Sequence, residues 1–497
     1  MSSSRTPFSV RLALTDHAAR IRGLLDTLAP RGYEAQTARV RAGILGLLTA
    51  EILLLLLSQF VDAKLGLIGA GGLLYAALCW YSLRAAWIVG LSAVPFSQEI
   101  VFPIAHSALW VPTEPMVILF LSVWAVRSIL RKEFGLQYSP ILICVLALAG
   151  VAGLSAIQSG YPILSIKAVT SMTWLATFGF FFPYQTDRDG NLLRAGAWIL
   201  AISAFVLSVF GLLYLAQHGV SRSTGNAMGR PFFPEHGTYA SYLCFGLSFL
   251  LSLGLFGQRP LWRAVGLAGF GFALLAIVLS VTRAAYLGAG AVLGVFAFYL
   301  LRRRTLVPLL LAAALVTVFL ISLGRFQAGQ FVQLHASSIA QPGELSNLGR
   351  INRWLAAGNM VRAHPYLGVG YGAYEDSYFT YRVLTLRTED RFIRAGVHSE
   401  YLEVLAELGW IGFVCQVFFI WFLVREAHHA IRWRLDKSDR WLALGAAGAV
   451  ASYLIHAFFN NYSNTDKVGV PFWFLVATIA ILGRFARRSG EEATRLQ

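Results

Sequence analysis

Charge is scarce in this chain. Of its 497 residues only 13% are Asp, Glu, Lys or Arg, about half the roughly 25% of a soluble globular domain, which excludes a string of soluble domains. Cysteine is scarce too. The four present (Cys79, Cys144, Cys244, Cys415) lie inside apolar runs without a CxxC pair, which excludes a disulfide framework and a thiolate metal centre and leaves buried thiols. Acidic residues are outnumbered by basic ones, 25 to 41, for a formal net charge of +16. No basic, aromatic-interleaved soluble segment offers that charge to nucleic acid, so no nucleic-acid partner is expected. Residues 1–42 are arginine-rich and polar without an apolar core. No cleavable signal is therefore expected there, and insertion would begin at the first span.

Apolar residues are abundant. They make up 57% of the chain, in long uncharged runs recurring from residue 43, and a helix needs about 20 of them to cross a bilayer. With Pro, Gly and charge as punctuation, about fourteen spans are predicted. They fall near 43–59, 65–80, 86–101, 115–131, 139–157, 163–183, 194–216, 237–257, 262–281, 284–301, 305–323, 397–424, 440–459 and 468–485. The third is the weakest, because Pro95 interrupts it and Ser97, Gln98 and Glu99 follow. The expected fold is an all-α polytopic membrane protein. Its layout is a basic segment 1–42, eleven spans within 43–323, a large loop 324–396, three spans within 397–485 and a tail 486–497.

Charge distribution gives the sidedness. With the amino terminus cytoplasmic, 27 Lys/Arg fall on its side, against Lys64, Arg222, Arg230, Arg283 and Lys467 in the short loops opposite. The positive-inside rule then puts both termini in the cytoplasm and loop 324–396, with its 8 arginines, outside. Clusters such as Arg302, Arg303 and Arg304 read as topology determinants and contacts for anionic membrane lipids. Glu51 and Lys167 fall within predicted spans and suggest no role.

Ionisable groups are costly in hydrocarbon, so those at span ends mark where chemistry can occur. Most gather on the external side. Arg230, Glu235 and His236 precede the eighth span in GRPFFPEHGTYASYL, Arg283 sits between the ninth and tenth in LSVTRAAYLGAG, and His398 is expected to open the twelfth in GVHSEYLEVLAELGWIGF. Within the loop, GRINRWLAAGNMVR (349–362) has helical spacing, with Ile351 and Leu355 on one side and Arg350 and Arg353 on another; a helix on the membrane surface is expected. Gly368, Gly370 and Gly372 in the following HPYLGVGYGAY suit tight turns at close backbone approach.

On the helix from about 397, His398 and Leu402 would share a face, with Glu400, Glu403 and Glu407 on another. A partly dehydrated histidine at this boundary stays neutral near pH 7 and can take a proton from a hydroxyl; the plainer alternative is a boundary histidine bonding to backbone. The glutamates would orient it, bind sugar hydroxyls, or satisfy the helix dipole. Arg350 and Arg353 would hold anionic substrate or rest on headgroups. Tyr371, Tyr374 and Trp354 would stack on sugars or serve as interfacial aromatics. Asp187 and Asp189 form a DRD in a predicted cytoplasmic turn, and His428 and His429 are adjacent rather than one helical turn apart, so no metal site is expected at either.

The stretch HSEYLEVLAELGWIGF, preceded by RINRWLAAGNMVRAHPYLGVGYGAY and TRAAYLG, resembles the bacterial O-antigen ligase and O-antigen polymerase superfamily of WaaL-type ligases and Wzy-type polymerases. Specific matching covers roughly residues 230 to 415. The resemblance implies a GT-C-like membrane-embedded glycosyltransferase of the bacterial inner membrane, using an undecaprenyl-diphosphate-linked glycan as donor in the periplasm, without metal or other cofactor. His398 falls on the family's histidine, the implied base on the acceptor hydroxyl. Arg283 falls on the arginine of the short S/T-R-A turn, and Arg230 matches a second arginine; both would bind the diphosphate. Glu235, His236, Glu400, Glu403, Tyr371, Arg350 and Arg353 are the further substrate-binding candidates. The acceptor would be another lipid-linked glycan, as in a polymerase working with a chain-length regulator, or the lipid A core, as in a ligase. The fourteen predicted spans favour the polymerase. A lipid-glycan flippase is the non-enzyme alternative, although its expected internal repeats are not visible.

Overall fold

The computed structural model describes residues 63–102, 107–131, 136–301, 345–383, 396–432 and 437–495. The chain divides into two units, 1–81 and 82–497. The described part of the first is one apolar helix, α1 (Ala63–Tyr81), where the second span is predicted. The predicted spans 43–59 and 305–323 lie outside the described residues.

In the second unit α2 (Leu83–Ala93) starts on Ser82, whose hydroxyl accepts from the Ala85 amide at 3.3 Å, an N-cap that satisfies a donor the helix cannot. The predicted third span, 86–101, needs correction. Pro95 lies in a 3-10 turn, Val94–Phe96, and the chain then forms an antiparallel hairpin of β1 (Gln98–Phe102) and β2 (Ser107–Val111) with Gln98 opposite Val111. Proline removes a backbone donor, and the β-rich residues after it pair across the hairpin instead.

Helices α3 (Thr113–Arg131), α4 (Pro140–Ile157) and α5 (Pro162–Ala176) follow, the last continuing through a π-turn, Thr177–Phe181, into α6 (Phe182–Thr186). Then come α7 (Asn191–His218), short α8 (Arg222–Ala227), α9 (His236–Phe256), α10 (Pro260–Leu279) and α11 (Arg283–Leu300). Two helices belong to the predicted large loop, α12 (Leu345–Ala363) and α13 (Tyr374–Tyr381). The last three are α14 (Glu400–Arg432), α15 (Lys437–His456) and α16 (Asp466–Arg495). Among the described residues nine helices are long and apolar enough to cross a membrane, so the protein is a largely helical, multi-pass membrane protein.

Two spans form the centre. In α9 and in Asp466–Arg487 of α16, 89% of the apolar window is buried, against 44% or less in the other seven. Lipid supplies no hydrophobic drive between helices, so close backbone approach and interhelical hydrogen bonds must hold them. Along α9, Ser248 and Ser252 donate to the carbonyls of Gly445 and Trp441 on α15, each at 2.7 Å. A Cβ on Gly246 would strike Ala204 of α7, and one on Gly266 of α10 would meet the backbone of Gly254.

Contacts bring several helix ends together. Thr282 before α11 bonds to the His236 carbonyl at the start of α9, and the Glu400 amide at the start of α14 donates to Ala457 just after α15. Tyr462, shortly before α16, lies against Gly237 of α9. The starts of α9, α11, α14 and α16 therefore share one end of the bundle with the ends of α10 and α15.

Candidate active site

The helix predicted from 397 begins instead at Glu400 and is broken at Gly409 (φ 63°, ψ −165°). The break is filled by residues 365–370. The amides of Val369 and Gly370 donate to the carbonyls of Ala406 and Glu407 at 3.0 and 3.3 Å, while the amides of Trp410 and Ile411 donate to Pro365 and Tyr366 at 2.8 and 3.3 Å. Every interruption of a helix at membrane depth leaves such groups to be satisfied by protein, since lipid cannot. Glycine is required at the seam: a Cβ on Gly409 would overlap the backbone of Tyr366, and one on Gly368 the backbone of Glu407. Gly368, Gly370 and Gly372 all have positive φ, as the expected tight turns require. The buried Glu407 carboxylate then fixes the loop by accepting from the amides of Gly372 at 2.8 Å and Tyr374 at 3.0 Å.

This seam closes a small core outside the span. Ala356, Ala357 and Met360 of α12 pack with Val369, Ala373, Tyr374, Tyr378, Val397 and Ala406, and Tyr374 Oη donates to the Arg353 carbonyl at 2.6 Å. Ile351, Trp354 and Leu355 remain partly exposed on another side of α12, which leaves Arg350 and Arg353 on a third.

His398 lies beside this core, two residues before α14 rather than on it, so the expected shared face with Leu402 does not form. Its neighbours Val397 and Ser399 are buried, and His398 takes φ 54°. A left-handed non-glycine residue costs of order 1–3 kcal/mol, sustained by surrounding structure. The other such residue among those described is Val281 (φ 60°), in the turn two residues before Arg283. One backbone outlier is thus a residue that the sequence singled out, and the other lies two residues from one.

Two arginines lie within electrostatic reach of the histidine. Burial, and then Arg353 and Arg350, push the His398 imidazole down to about 4. Burial is also the main cause that lowers Arg350; Tyr462 acts in the opposite sense, and Arg283 and Arg353 lower it further. Arg350 is therefore within electrostatic reach of both His398 and Arg283, bringing α11, α12 and the approach to α14 to one place. Arg230 is exposed, its side chain forms no hydrogen bond or ion pair among the described residues, and a cis peptide bond to Pro231 follows it. Glu235 and His236 make backbone bonds here: the Glu235 carbonyl accepts from Tyr239 N and Thr238 Oγ1, and Thr282 Oγ1 donates to the His236 carbonyl at 3.3 Å. That last bond ties the start of α9 to the turn bearing Arg283.

The glutamates have neutral partners. Glu400 accepts from the Tyr453 hydroxyl, and Glu403 from Asn461 Nδ2 at 2.7 Å. Tyr371 donates from its phenol to Asn464 Oδ1 at 3.0 Å, and burial, then Glu407, Glu403 and Glu400, raise it. An apolar cavity of about 150 Å³ opens below, with Tyr371, Glu400, Tyr453 and Asn464 at its polar margin and Leu408 and Phe419 along its wall. The turn after α15, Asn460–Asn461–Tyr462–Ser463–Asn464, was not foreseen as part of the site. Its run of amides between two apolar spans is the signal that could have found it.

Residues 268–417 match the family model described as O-antigen ligase. The chain carries a domain of the O-antigen ligase and polymerase superfamily. The matched segment runs from α10 into α14 and holds Arg283, Arg350, Arg353, Tyr371, His398, Glu400, Glu403 and Glu407; Arg230, Glu235 and His236 precede it. No curated protein matches the chain. Members of that superfamily are glycosyltransferase-like enzymes.

Proposed function

We propose that this protein is an inverting membrane glycosyltransferase. It moves a glycan from a polyprenyl diphosphate, of the undecaprenyl type, to a sugar hydroxyl at the periplasmic face of the bacterial inner membrane. The observation that carries the reading is the position of Arg350, which feels both His398 and Arg283. Inverting transfer needs a base on one side of the anomeric carbon and stabilised departing charge on the other. Neutral His398 takes the proton of the acceptor hydroxyl as its oxygen bonds to the anomeric carbon. The bond from that carbon to the diphosphate breaks, and the leaving group departs with the electron pair onto Arg283, Arg350 and Arg353. Guanidinium suits the task, because it stays charged and donates several hydrogen bonds to phosphate oxygens.

The free-enzyme imidazole is a weak base while guanidiniums face it. Bound diphosphate offsets their field, so the base strengthens once the donor is seated. The apolar cavity under Glu400 and Tyr371 gives the first isoprene units a place at membrane depth. No metal takes part in this scheme, so transfer should be unchanged by chelator.

The decisive experiment is transfer from a polyprenyl-diphosphate glycan by purified wild-type protein and by His398→Ala; a histidine-independent activity would overturn the reading. Deletion followed by surface-glycan electrophoresis identifies the acceptor. A single repeat left on the final carrier marks a polymerase, and long chains accumulating on the polyprenyl carrier mark a ligase. Lipid-linked glycan trapped on the cytoplasmic side would mark a flippase instead.

A further inference from the structure

The cavity below Tyr371 has one wall residue that the fold does not satisfy. It lies among α4, α5, α14, α15 and α16, and its lining includes Leu146, in the apolar run of α4, and Thr173 of α5, both exposed on the outside of the bundle. The cavity therefore opens sideways, within the apolar part of the helices. Eight of its 26 lining residues are aromatic, more than twice the 13% share of the whole chain, so flat rings make up much of the wall. Its hydroxyls are committed. Thr173, Thr177 and Tyr401 donate to backbone carbonyls at 2.7, 2.6 and 2.8 Å, and Tyr371 and Tyr453 donate to Asn464 and Glu400. Gln416 is different. It is only 8% exposed, its Oε1 is buried without a partner, and its amide nitrogen makes no hydrogen bond among the described residues. It stands seven residues past the break at Gly409, about 10 Å further along the helix, where hydrocarbon offers an amide nothing to bond. A leucine there would avoid that cost.

We infer that Gln416 is a specificity-determining residue, which admits an unsaturated polyisoprenoid chain to the cavity and disfavours the saturated acyl chains of bulk phospholipid. An apolar cavity open to the bilayer meets a large excess of those chains, and hydrophobic burial alone discriminates poorly among hydrocarbons. Seating a saturated chain against Gln416 covers the amide with groups that cannot bond to it, a penalty that falls on the wrong ligand. A polyisoprenoid carries a double bond in every isoprene unit, and the π face of that bond accepts the amide N–H as a weak hydrogen bond, which offsets part of the penalty. The aromatic wall suits the same flat, methyl-bearing units. The π-turn Thr177–Phe181 supplies two of its rings, Phe180 and Phe181, and such widened turns recur at functional sites. Selectivity is gained here while affinity and stability are lost.

This inference rests on the reading of the cavity as the seat of the donor's isoprene chain, and its test separates the two. Binding of undecaprenyl diphosphate and of its fully hydrogenated analogue to the full-length, detergent-solubilised protein is measured for wild type, Gln416→Leu and Gln416→Met, alongside glycan transfer by the wild type. Wild type should prefer the unsaturated chain about two- to fivefold. Gln416→Leu should bind the hydrogenated chain more tightly than wild type does, bind the two chains equally and melt at a higher temperature, because no amide is left to bury. Gln416→Met, unbranched like glutamine, should do the same and serves where leucine disturbs the packing. Equal binding of the two chains by wild type, or a preference that survives in the variants, overturns the inference. If wild type shows the preference but transfers no glycan, the transferase reading fails while the role of Gln416 stands. Glycan transfer without a chain preference removes that role alone, and binding of neither lipid removes both.

Discussion

The two ends of the helix bundle handle charge in opposite ways. At the end holding the α6–α7 turn, arginines meet carboxylates directly. Arg84 pairs with Asp189 at 3.1 Å, Arg194 with Asp439 at 2.9 Å and Arg487 with Glu426 at 2.5 Å. Arg484 donates to the carbonyls of Tyr184 and Asp187 at 3.2 and 2.7 Å, and buried Asp187 is pushed up to about 6, chiefly by burial. Asp187 and Asp189 of the DRD segment thus help to join helices. At the end holding His398, Glu400, Glu403 and Glu407 are met by a phenol, an amide and two backbone amides. Charges that cancel locally make a joint, whereas at the other end buried carboxylates are satisfied by neutral donors.

The largest test of this contrast is His398→Ala. Loss of a general base costs about 10²- to 10⁴-fold in rate, so glycan transfer should fall by that range while the melting temperature stays near wild type. Arg283→Lys keeps the charge and loses the fork, and transfer should drop roughly 10- to 100-fold in the same assay; near-normal turnover would reduce Arg283 to an interfacial anchor. Glu407→Gln removes the carboxylate that binds two amides of loop 369–374. It should destabilise that loop by about 1.5–3 kcal/mol, read by hydrogen exchange at Gly372 and Tyr374. Asp439→Asn, at the opposite end, breaks a partly exposed pair, and should cost at most about 1 kcal/mol and leave transfer unchanged.

Acidity sharpens the contrast further. The native imidazole sits at about 4, below its ordinary value of about 6.5. Between those values the unfolded chain binds more protons, so this group makes stability fall as pH drops from about 6.5 towards about 4. The melting temperature of wild type should therefore fall more than that of His398→Asn across this window. The acid limb of kcat/KM, which reports the free enzyme, should lie near 4, and that of kcat at higher pH, because bound diphosphate offsets the arginines. Identical limbs would remove the coupling between donor and base.

Spans were legible because their signal is local. The run 139–157 recurs as α4 almost to the residue and 194–216 lies inside the longer α7, since length and apolarity alone define a span. Helix α12 and the glycine turns were legible for the same reason. What failed was set by distant partners. The hairpin after Pro95 is anchored by Lys467, whose ammonium donates to the carbonyls of Pro95 and Ser97 at 3.2 and 2.5 Å and lies over Trp110 and Phe233. His398 was expected on the helix because its sequence is helix-compatible; the burial of Val397 and Ser399 on either side sets its left-handed backbone. Tyr462 and the asparagines around it carried no signal until the helix ends were brought together, and Arg230, chosen by motif, is exposed and makes no side-chain hydrogen bond or ion pair among the described residues.

The seam at Gly409 limits how substrates can reach the histidine. Swinging residues 365–370 outward would break four hydrogen bonds at once, two to carbonyls and two from amides of the broken helix. That flap is therefore a fixed wall. On the proposed function a lipid donor would enter from the side, between helices, or past segments that bear no such four-stitch closure, and engineering intended to widen access should leave this stretch untouched.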